Sequence, residues 1–507
     1  MRKTSLILTV LFTLAITMPS QSQSRWSKTL KTKFPQLMSG YKIIGQDENA
    51  VYVRPRGNAS YKLIKLNPST MAITEATYTL KGSEGSRDLE FIVMLKDEIY
   101  LFSSLQNKKT KKHILYVQAV NKSTLRPNAS VKKVAEIDYT GESNKRPALF
   151  FYDVSPDESK LLVAYVVIDK DGIALRSGFS IFDEECNFVW GEDNIATGIE
   201  NKFSFSQFMI DNATNVYFTG KTTYEKKELR QGAKNEAYVI ICLEKEKTSV
   251  PVKIELPTSK VAVGQRIAVN NNSDLYFVGT YTGSDMNNII GLYSAKIDIE
   301  KQEVDHLAIS DFSESFLTKG LKDSDAKSLT NRLRKGNDFE NHKFYISDIE
   351  FLDNGSFIFA AEKGHTTYYR NSDGGQTPVY HYGDIIIANF AQDASMNWIE
   401  KIPRELKLAV FPYGSFGLIT EKNNVHIFYN LLKSSATAFG IPPTKTQLIK
   451  YSFNSGGEST WKEIYDSKST KIIPRAWETI YHNEKGIVLM MGHKGSNTIN
   501  FTQIPIK

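Results

Sequence analysis

The sequence predicts an all-β fold, an eight-bladed β-propeller, and three observations predict it. A four-strand unit recurs along the chain and is clearest from Tyr345 to Pro403. There an extended run, Tyr345–Leu352, meets a turn, Asp353-Asn354-Gly355-Ser356, and returns as Phe357–Glu362; Asp384–Phe390 and Asn397–Ile402 follow as third and fourth strands. Four antiparallel strands joined by hairpins make one blade. The composition agrees, since 25 Tyr and 28 Phe suit pleated, half-buried surfaces. Finally, the last unit is one strand short, and Arg25-Trp26-Ser27-Lys28-Thr29-Leu30 has the pattern of the fourth strands at Trp398 and Trp461. An N-terminal strand in the last blade would close the ring and remove its open edges. Seven blades is the alternative count.

The 507 residues are too many for one ordinary small core, but a repeat array relaxes that limit because each unit buries its face on its neighbour. Residues 1–24 read as a cleaved signal peptide: Arg2 and Lys3, an apolar run from Leu6 to Met18, then small residues to Ser24. The run is too short for a membrane span, and no later stretch is apolar enough for one. Residues 25–507 are then a single propeller domain with insertions at 310–342 and 364–383, in a secreted or periplasmic protein. Cys186 and Cys242 could pair in such a compartment, but each sits in a strand-and-turn context that reads as a small buried residue. The formal charge is +7, or +5 without Arg2 and Lys3, and basic and acidic residues are interleaved without a basic stripe. Nucleic acid is excluded as a partner on that ground.

The blades follow in order. The first holds Tyr41-Lys-Ile-Ile, Val51-Tyr-Val-Arg, Tyr61–Leu66 and Ile73–Leu80; the second runs from Phe91 to Ile137. The third contains Tyr152-Asp-Val-Ser-Pro-Asp-Glu-Ser-Lys-Leu-Leu-Val163. This dozen residues resembles the WD40-like PD40 propeller repeat, with Pro156 presetting the turn and Asp157 bonding back to it. The resemblance implies a blade and no particular activity. Blades four and five share near duplicates, Asn215–Gly220 and Asp274–Gly279. Blade seven spans Gly417–Tyr465, and blade eight starts at Trp477. The fourth strands are also similar to those of pyrroloquinoline-quinone-type propellers, but Leu66-Asn-Pro-Ser-Thr and Val120-Asn-Lys-Ser-Thr lack the glycine and tryptophan. The architecture carries over, and the cofactor does not.

Hairpin parity places the loops. Connections between strands one and two, and three and four, share one face and are short. The other face carries the insertions Tyr224–Asn235, Thr282–Asn288, Ser310–His342, Gly364–Gly383 and Lys433–Thr444, and is the candidate working face. In the first large insertion Ser324 is placed to cap a helix with Ala326, Leu329 and Leu333 on one side. It reads as a lid on the blade-six rim or as a docking helix. The second carries His365, Tyr368, Tyr369, Arg370, Tyr380, His381 and Tyr382 about an Asp373-Gly-Gly turn. Tyr and Arg bury large area at small entropic cost, so these seven are candidate ligand-binding residues; mutual packing in a twisted hairpin is the alternative. A polar column, Lys42, Glu90, Gln207, Arg266, Asp348 and Glu478, with Tyr152 and Phe416, is placed at the channel mouth, as a binding ring or as solvated strand starts.

The eight His are isolated, no His-Glu-x-x-His or paired-Cys motif occurs, and no Gly-x-Ser-x-Gly elbow or phosphate loop is present. No catalytic residue, metal or cofactor is expected. The leading expectation is a non-catalytic binding propeller for an unknown glycan, cell-envelope component or protein. Two alternatives stand beside it. One is a glycan hydrolase or lyase with facing carboxylates about 5–9.5 Å apart; the other is a scaffold presenting residues 310–342.

Overall fold

The structure, a computed structural model, describes residues 25–506 apart from 28–29, 32–40, 56–61, 83–84, 140–147, 169–173, 194, 196–201, 224–235, 248, 258, 284–287, 336–343, 348, 371–373, 409–413, 433–444 and 495–497. The expected signal peptide, the loops Tyr224–Asn235 and Lys433–Thr444, and Asp348 and Asp373 lie outside the described residues.

Among the described residues eight antiparallel sheets of four to six strands follow one another along the chain, each built on a meander, beside a two-stranded ribbon of Lys81–Gly82 and Gly85–Ser86. Their first strands are Tyr41–Asp47, Asp88–Leu95, Ala148–Val154, Lys202–Ile210, Val261–Val269, Phe344–Ile346 with Glu350–Phe351, Gly417–Glu421 and Ile473–His482. The last sheet takes its outer strand from the other end of the chain. Arg25 lies opposite Gln503 and Trp26 opposite Thr502, and Leu30–Lys31 pairs with the same strand.

Cores form between sheets rather than within them. Leu162 and Phe179 of the third sheet pack with Phe218 and Ile241 of the fourth, and Tyr217 and Ile240 of the fourth with Phe277 and Ala295 of the fifth. Tyr41 and Val53 of the first sheet pack with Leu489 and Phe501 of the last. A strand buried on both faces cannot alternate strictly, and Leu275–Thr282, buried throughout, shows why several strands read as continuous apolar runs.

Turn chemistry repeats. Asp211 accepts the Asn215 amide at 2.7 Å, Asp183 the Asn187 amide at 2.7 Å, and Asn270 the Asp274 amide at 2.9 Å. Each turn has a left-handed residue three positions on, Thr214, Cys186 and Ser273. In the Ser-Pro-Asp turn Asp157 accepts the Ser159 amide at 3.0 Å, as expected from the sequence. These short turns also bond to one another. The Asp157 amide donates to Asn212 at 3.0 Å, Asn212 Nδ2 to the Asn271 carbonyl at 2.8 Å, and the Asn354 amide to Asn423 at 3.0 Å. Strand-one-to-two turns of successive sheets therefore share one face and stitch it.

Helices occupy the insertion after the fifth sheet. Helix α1 (Glu314–Thr318) is capped by Ser313, whose Oγ accepts the Phe316 amide at 3.1 Å. Helix α2 (Asp323–Arg334) begins one residue before the expected cap. Lys322 holds that position, and the Ser324 hydroxyl lies 3.3 Å from the Asp325 carboxylate. Acidic Asp323 and Asp325 in the first turn and Arg332 and Arg334 in the last compensate the helix dipole in place of a side-chain cap. No described helix is long and apolar enough to cross a membrane.

Cys186 and Cys242 are free and buried, and burial pushes both thiols up to about 12. Two buried histidines give the fold a pH dependence. Burial, with Lys450 adding to it, pushes His426 down to about 3; burial and Arg475 do the same to His493. The unfolded chain, with ordinary imidazoles, binds more protons between about pH 3 and 6.5. Stability is therefore full above that window and falls as pH drops through it, by up to about 1.4 kcal/mol per histidine per unit. Urea unfolding at about pH 7.5 and pH 5 should show a loss of roughly 2–4 kcal/mol. A flat profile, or one unchanged by His426→Asn, would refute this origin.

Candidate functional site

The second and third strands of the sixth sheet run from Phe357 to Arg370 and from Gln376 to Phe390, making one hairpin longer than any other described pair. Within the expected insertion, residues 364–370 and 376–383 are thus strand rather than loop. Phe344–Ile346 covers the first strand up to Lys363, and Leu406–Leu408 covers the second at Tyr380–Tyr382. Beyond those points the ribbon has no further partner strand among the described residues.

Register divides the seven candidates between two faces. Gly364 lies opposite Tyr382, Thr366 opposite Tyr380 and Tyr368 opposite Pro378, so Tyr368, Tyr380, Tyr382 and Arg370 share one face. His365 lies opposite His381 and Tyr369 opposite Thr377, so these residues share the other. On the first face Tyr382 is buried against Leu406, Leu408 and Ile473, with Tyr380 packed beside them. A Cβ on Gly414 would sit 2.0 Å from the Tyr382 ring, so that close approach requires glycine. On the second face the two imidazoles stack at 4.2 Å and 10°, and His381 Nε2 lies 2.9 Å from the Thr367 hydroxyl. Tyr368 and Tyr369, one on each face, are 65 % and 61 % exposed.

The hairpin base is locked by a residue pair that sequence reading passed over. Arg404 pairs with Glu362 and donates to the Gly383 carbonyl at 3.2 Å and the Gly414 carbonyl at 2.7 Å. Its guanidinium lies 6.0 Å from the Tyr382 ring centroid and 5.6 Å from that of Tyr429. The available signal was a lone carboxylate ending the apolar run Phe357–Ala361.

The polar column is placed as follows. Lys42 Nζ donates to the Tyr152 hydroxyl at 2.6 Å, linking the first and third sheets, and Tyr152 stacks on Phe91 of the second at 4.4 Å. Glu90 accepts from Ser104 within its own sheet. Gln207 is spent on the neighbouring strand: its amide donates to the Ile267 carbonyl and accepts the Ile267 N–H, both at 3.0 Å. Glu478 is buried and takes two contacts from Arg475, at 3.2 and 3.3 Å. Arg266 stands on the first strand of the fifth sheet, and Phe416 is buried in the core between sheets six and seven. Among the described residues no group of three or more metal-ligating side chains comes together.

No protein-family model matches the chain, and no curated protein does. Solved structures similar to it include the Dos1 propeller, at 7% identity over 96% of each chain with a TM-score of 0.44. The β-propeller domain of the Trilobed protease from Pyrococcus furiosus is 12% identical over 85% of this chain and 97% of that one, with a TM-score of 0.37. A Bacteroides caccae protein of unknown function is 11% identical over 72% and 94%, with a TM-score of 0.29. The chain's own succession of four-stranded meanders, packed face to face, is that of a β-propeller.

Proposed function

We propose that the protein is an exported, non-catalytic propeller that binds a glycan or another cell-envelope component through the sixth-sheet hairpin. One observation carries the reading: the ribbon outruns its neighbouring strands and holds two tyrosines in solvent, Tyr368 at 65 % and Tyr369 at 61 % exposure. Exposed tyrosine is costly to solvate and suited to stacking on sugar rings or burying in a partner. The rigid base beneath it, locked by Arg404, limits the entropy lost on binding. In this reading the eight sheets are eight blades, and the strand at Arg25–Trp26 closes the ring. Support comes from its pairing with the last strand and from the joint core of the first and last sheets. Residues 1–24 direct export, and the mature chain begins near Arg25.

The test is an array of glycans and envelope fractions probed with residues 25–507. A specific hit should weaken at least tenfold, about 1.4 kcal/mol, in Tyr368→Ala/Tyr380→Ala if the Tyr382 face is used, or in Tyr369→Ala if the histidine face is used. A hit indifferent to all three substitutions would move the site away from the hairpin.

A further inference from the structure

Lys42 and Arg54 lie directly opposite each other on the first two strands of the first sheet. Side chains at opposed positions share a face, about 5 Å apart at Cβ, and like charges there repel. By alternation this is also the face of Ala50 and Tyr52, which packs on Leu89 and Ile99 of the second sheet. Two cations thus stand side by side against an apolar interface, an arrangement that costs stability unless an anion joins it.

No carboxylate among the described residues does so. The Lys42 ammonium donates to the Tyr152 hydroxyl at 2.6 Å and lies 5.0 Å from the centroid of that ring. The Arg54 guanidinium is more isolated: its Nε and Nη1 are buried and donate to no described residue. Burial lowers its pKa from the ordinary value, and the groups acting against this are two phenols, Tyr152 and Tyr78, rather than an acid. Glu90, on the first strand of the second sheet, accepts from Ser104 and pairs with neither cation. The flanking stretches 32–40 and 56–61 contain no Asp or Glu.

The donors come from different directions. The ammonium and the guanidinium stand on adjacent strands of the first sheet, and the phenol reaches them from the third, where Tyr152 is held by stacking on Phe91 at 4.4 Å and 22°. The Tyr152 oxygen accepts from Lys42, which leaves its own O–H to donate. Bonds from charged donors are short and strong when the acceptor is an anionic oxygen. A carboxylate offers its two oxygens in one plane, whereas a tetrahedral oxyanion can meet three donors that do not share one.

We propose that Lys42, Arg54 and Tyr152 form a binding site for a phosphate group. Its oxygens would accept from the ammonium, the guanidinium and the phenol, and its charge would offset the two facing cations. The site is separate from the tyrosine hairpin, and neither reading depends on the other.

The experiment is calorimetric titration of residues 25–507 with inorganic phosphate at low salt, with acetate in parallel. Phosphate should bind saturably with a Kd below about 1 mM, and acetate at least about tenfold more weakly. Arg54→Met should weaken phosphate at least about tenfold. The same variant, without phosphate, should unfold at or above the wild-type midpoint, because an uncompensated charge leaves the interface. Saturating phosphate should raise the wild-type midpoint and leave that of Arg54→Met where it was. Tyr152→Phe, which keeps the ring on Phe91, should weaken phosphate by roughly three- to tenfold. Phenyl phosphate separates the two sources of the group: tighter binding than inorganic phosphate assigns the site to a phosphate ester, and equal or weaker binding to the free ion. Failure of phosphate to saturate below about 1 mM, acetate binding as tightly, or wild-type affinity in Arg54→Met would each overturn the proposal. So would a lowered midpoint in phosphate-free Arg54→Met, since that is the mark of an arginine already satisfied within the fold.

Discussion

Glu362→Ala is expected to lower the stability of the protein by about 3–5 kcal/mol. The Arg404 guanidinium is fully buried and the Glu362 carboxylate is 4 % exposed. A guanidinium does not shed its proton, so truncating the acid leaves an uncompensated charge in the core. The two carbonyls that Arg404 also serves, Gly383 and Gly414, cannot replace a negative charge. In thermal unfolding the midpoint should fall by about 3–5 °C for a chain of this length. The double variant Glu362→Leu/Arg404→Met removes both charges and should recover part of the loss, ending within about 1–3 kcal/mol of wild type. Glu362→Ala within about 1 kcal/mol of wild type would show that the pair is not the lock described above. The effect reaches the proposed site, because Arg404 holds the loop at Gly414 that packs on Tyr382. Loosening it should blur the register of the ribbon that displays Tyr368 and Tyr369.

What could be read in the sequence was whatever is local. Alternation and Asx turns placed a second strand in each of the eight sheets, because each turn such as those at Asp211 and Asn270 is satisfied by atoms within four residues of it, whereas fourth strands such as Val252–Ile254 and Glu303–Asp311 were not assigned. The pairing of Arg25–Trp26 with the final strand was legible too, since an unfinished sheet at one terminus needs a strand and the other terminus supplied one. Hairpin parity was also enough to put the strand-one-to-two turns on one face, where Asp157, Asn212 and Asn271 now bond in a chain.

Side-chain direction was not legible, and the reason is a set of bulges. The first strands skip register between Ile43 and Gly45, around Glu90, between Phe205 and Gln207, between Ala262 and Gly264, and between Arg475 and Thr479. One extra residue sends every later side chain to the opposite face. A column counted at a fixed spacing from the second strand therefore mixes a bulge residue, Glu90, with an interstrand stitch, Gln207, and a buried ion-pair member, Glu478. A further bulge between Glu362 and Gly364 sets the phase of the hairpin relative to the sheet, and strand alternation then puts the consecutive Tyr368 and Tyr369 on opposite faces. A cleft between α2 and the sixth sheet was invisible for a different reason. Its lysines, Lys363 and Lys401, are 38 positions apart in sequence and line one cleft only because the second and fourth strands of the sixth sheet carry them on either side of the third.

Deletion of residues 25–31 is the second change expected to have a large effect. The segment does more than lengthen a sheet. Ser27 is buried, donates its amide to the Phe501 carbonyl at 2.7 Å and accepts the Phe501 amide on Oγ at 3.0 Å, while its carbonyl takes Asn500 Nδ2 at 3.2 Å. The Trp26 ring meets Tyr465 of the seventh sheet edge-on at 5.4 Å, and it lies so close over Gly492 that a Cβ there would be 2.6 Å away. Losing several net hydrogen bonds at about 1 kcal/mol each, together with the buried part of an indole, amounts to roughly 4–6 kcal/mol. The deletion also bares the edge of Thr498–Pro505, a strand buried along much of its length, and an apolar free edge recruits other chains. Two readouts should move together: a lower denaturant midpoint, and concentration-dependent association by light scattering. Trp26→Ala, which keeps the backbone pairing, should cost about 2–3 kcal/mol and leave the protein monodisperse. If the truncated chain unfolds at the wild-type midpoint and does not associate, the strand is an ornament on the last sheet, and the proposal that it closes the ring fails with it.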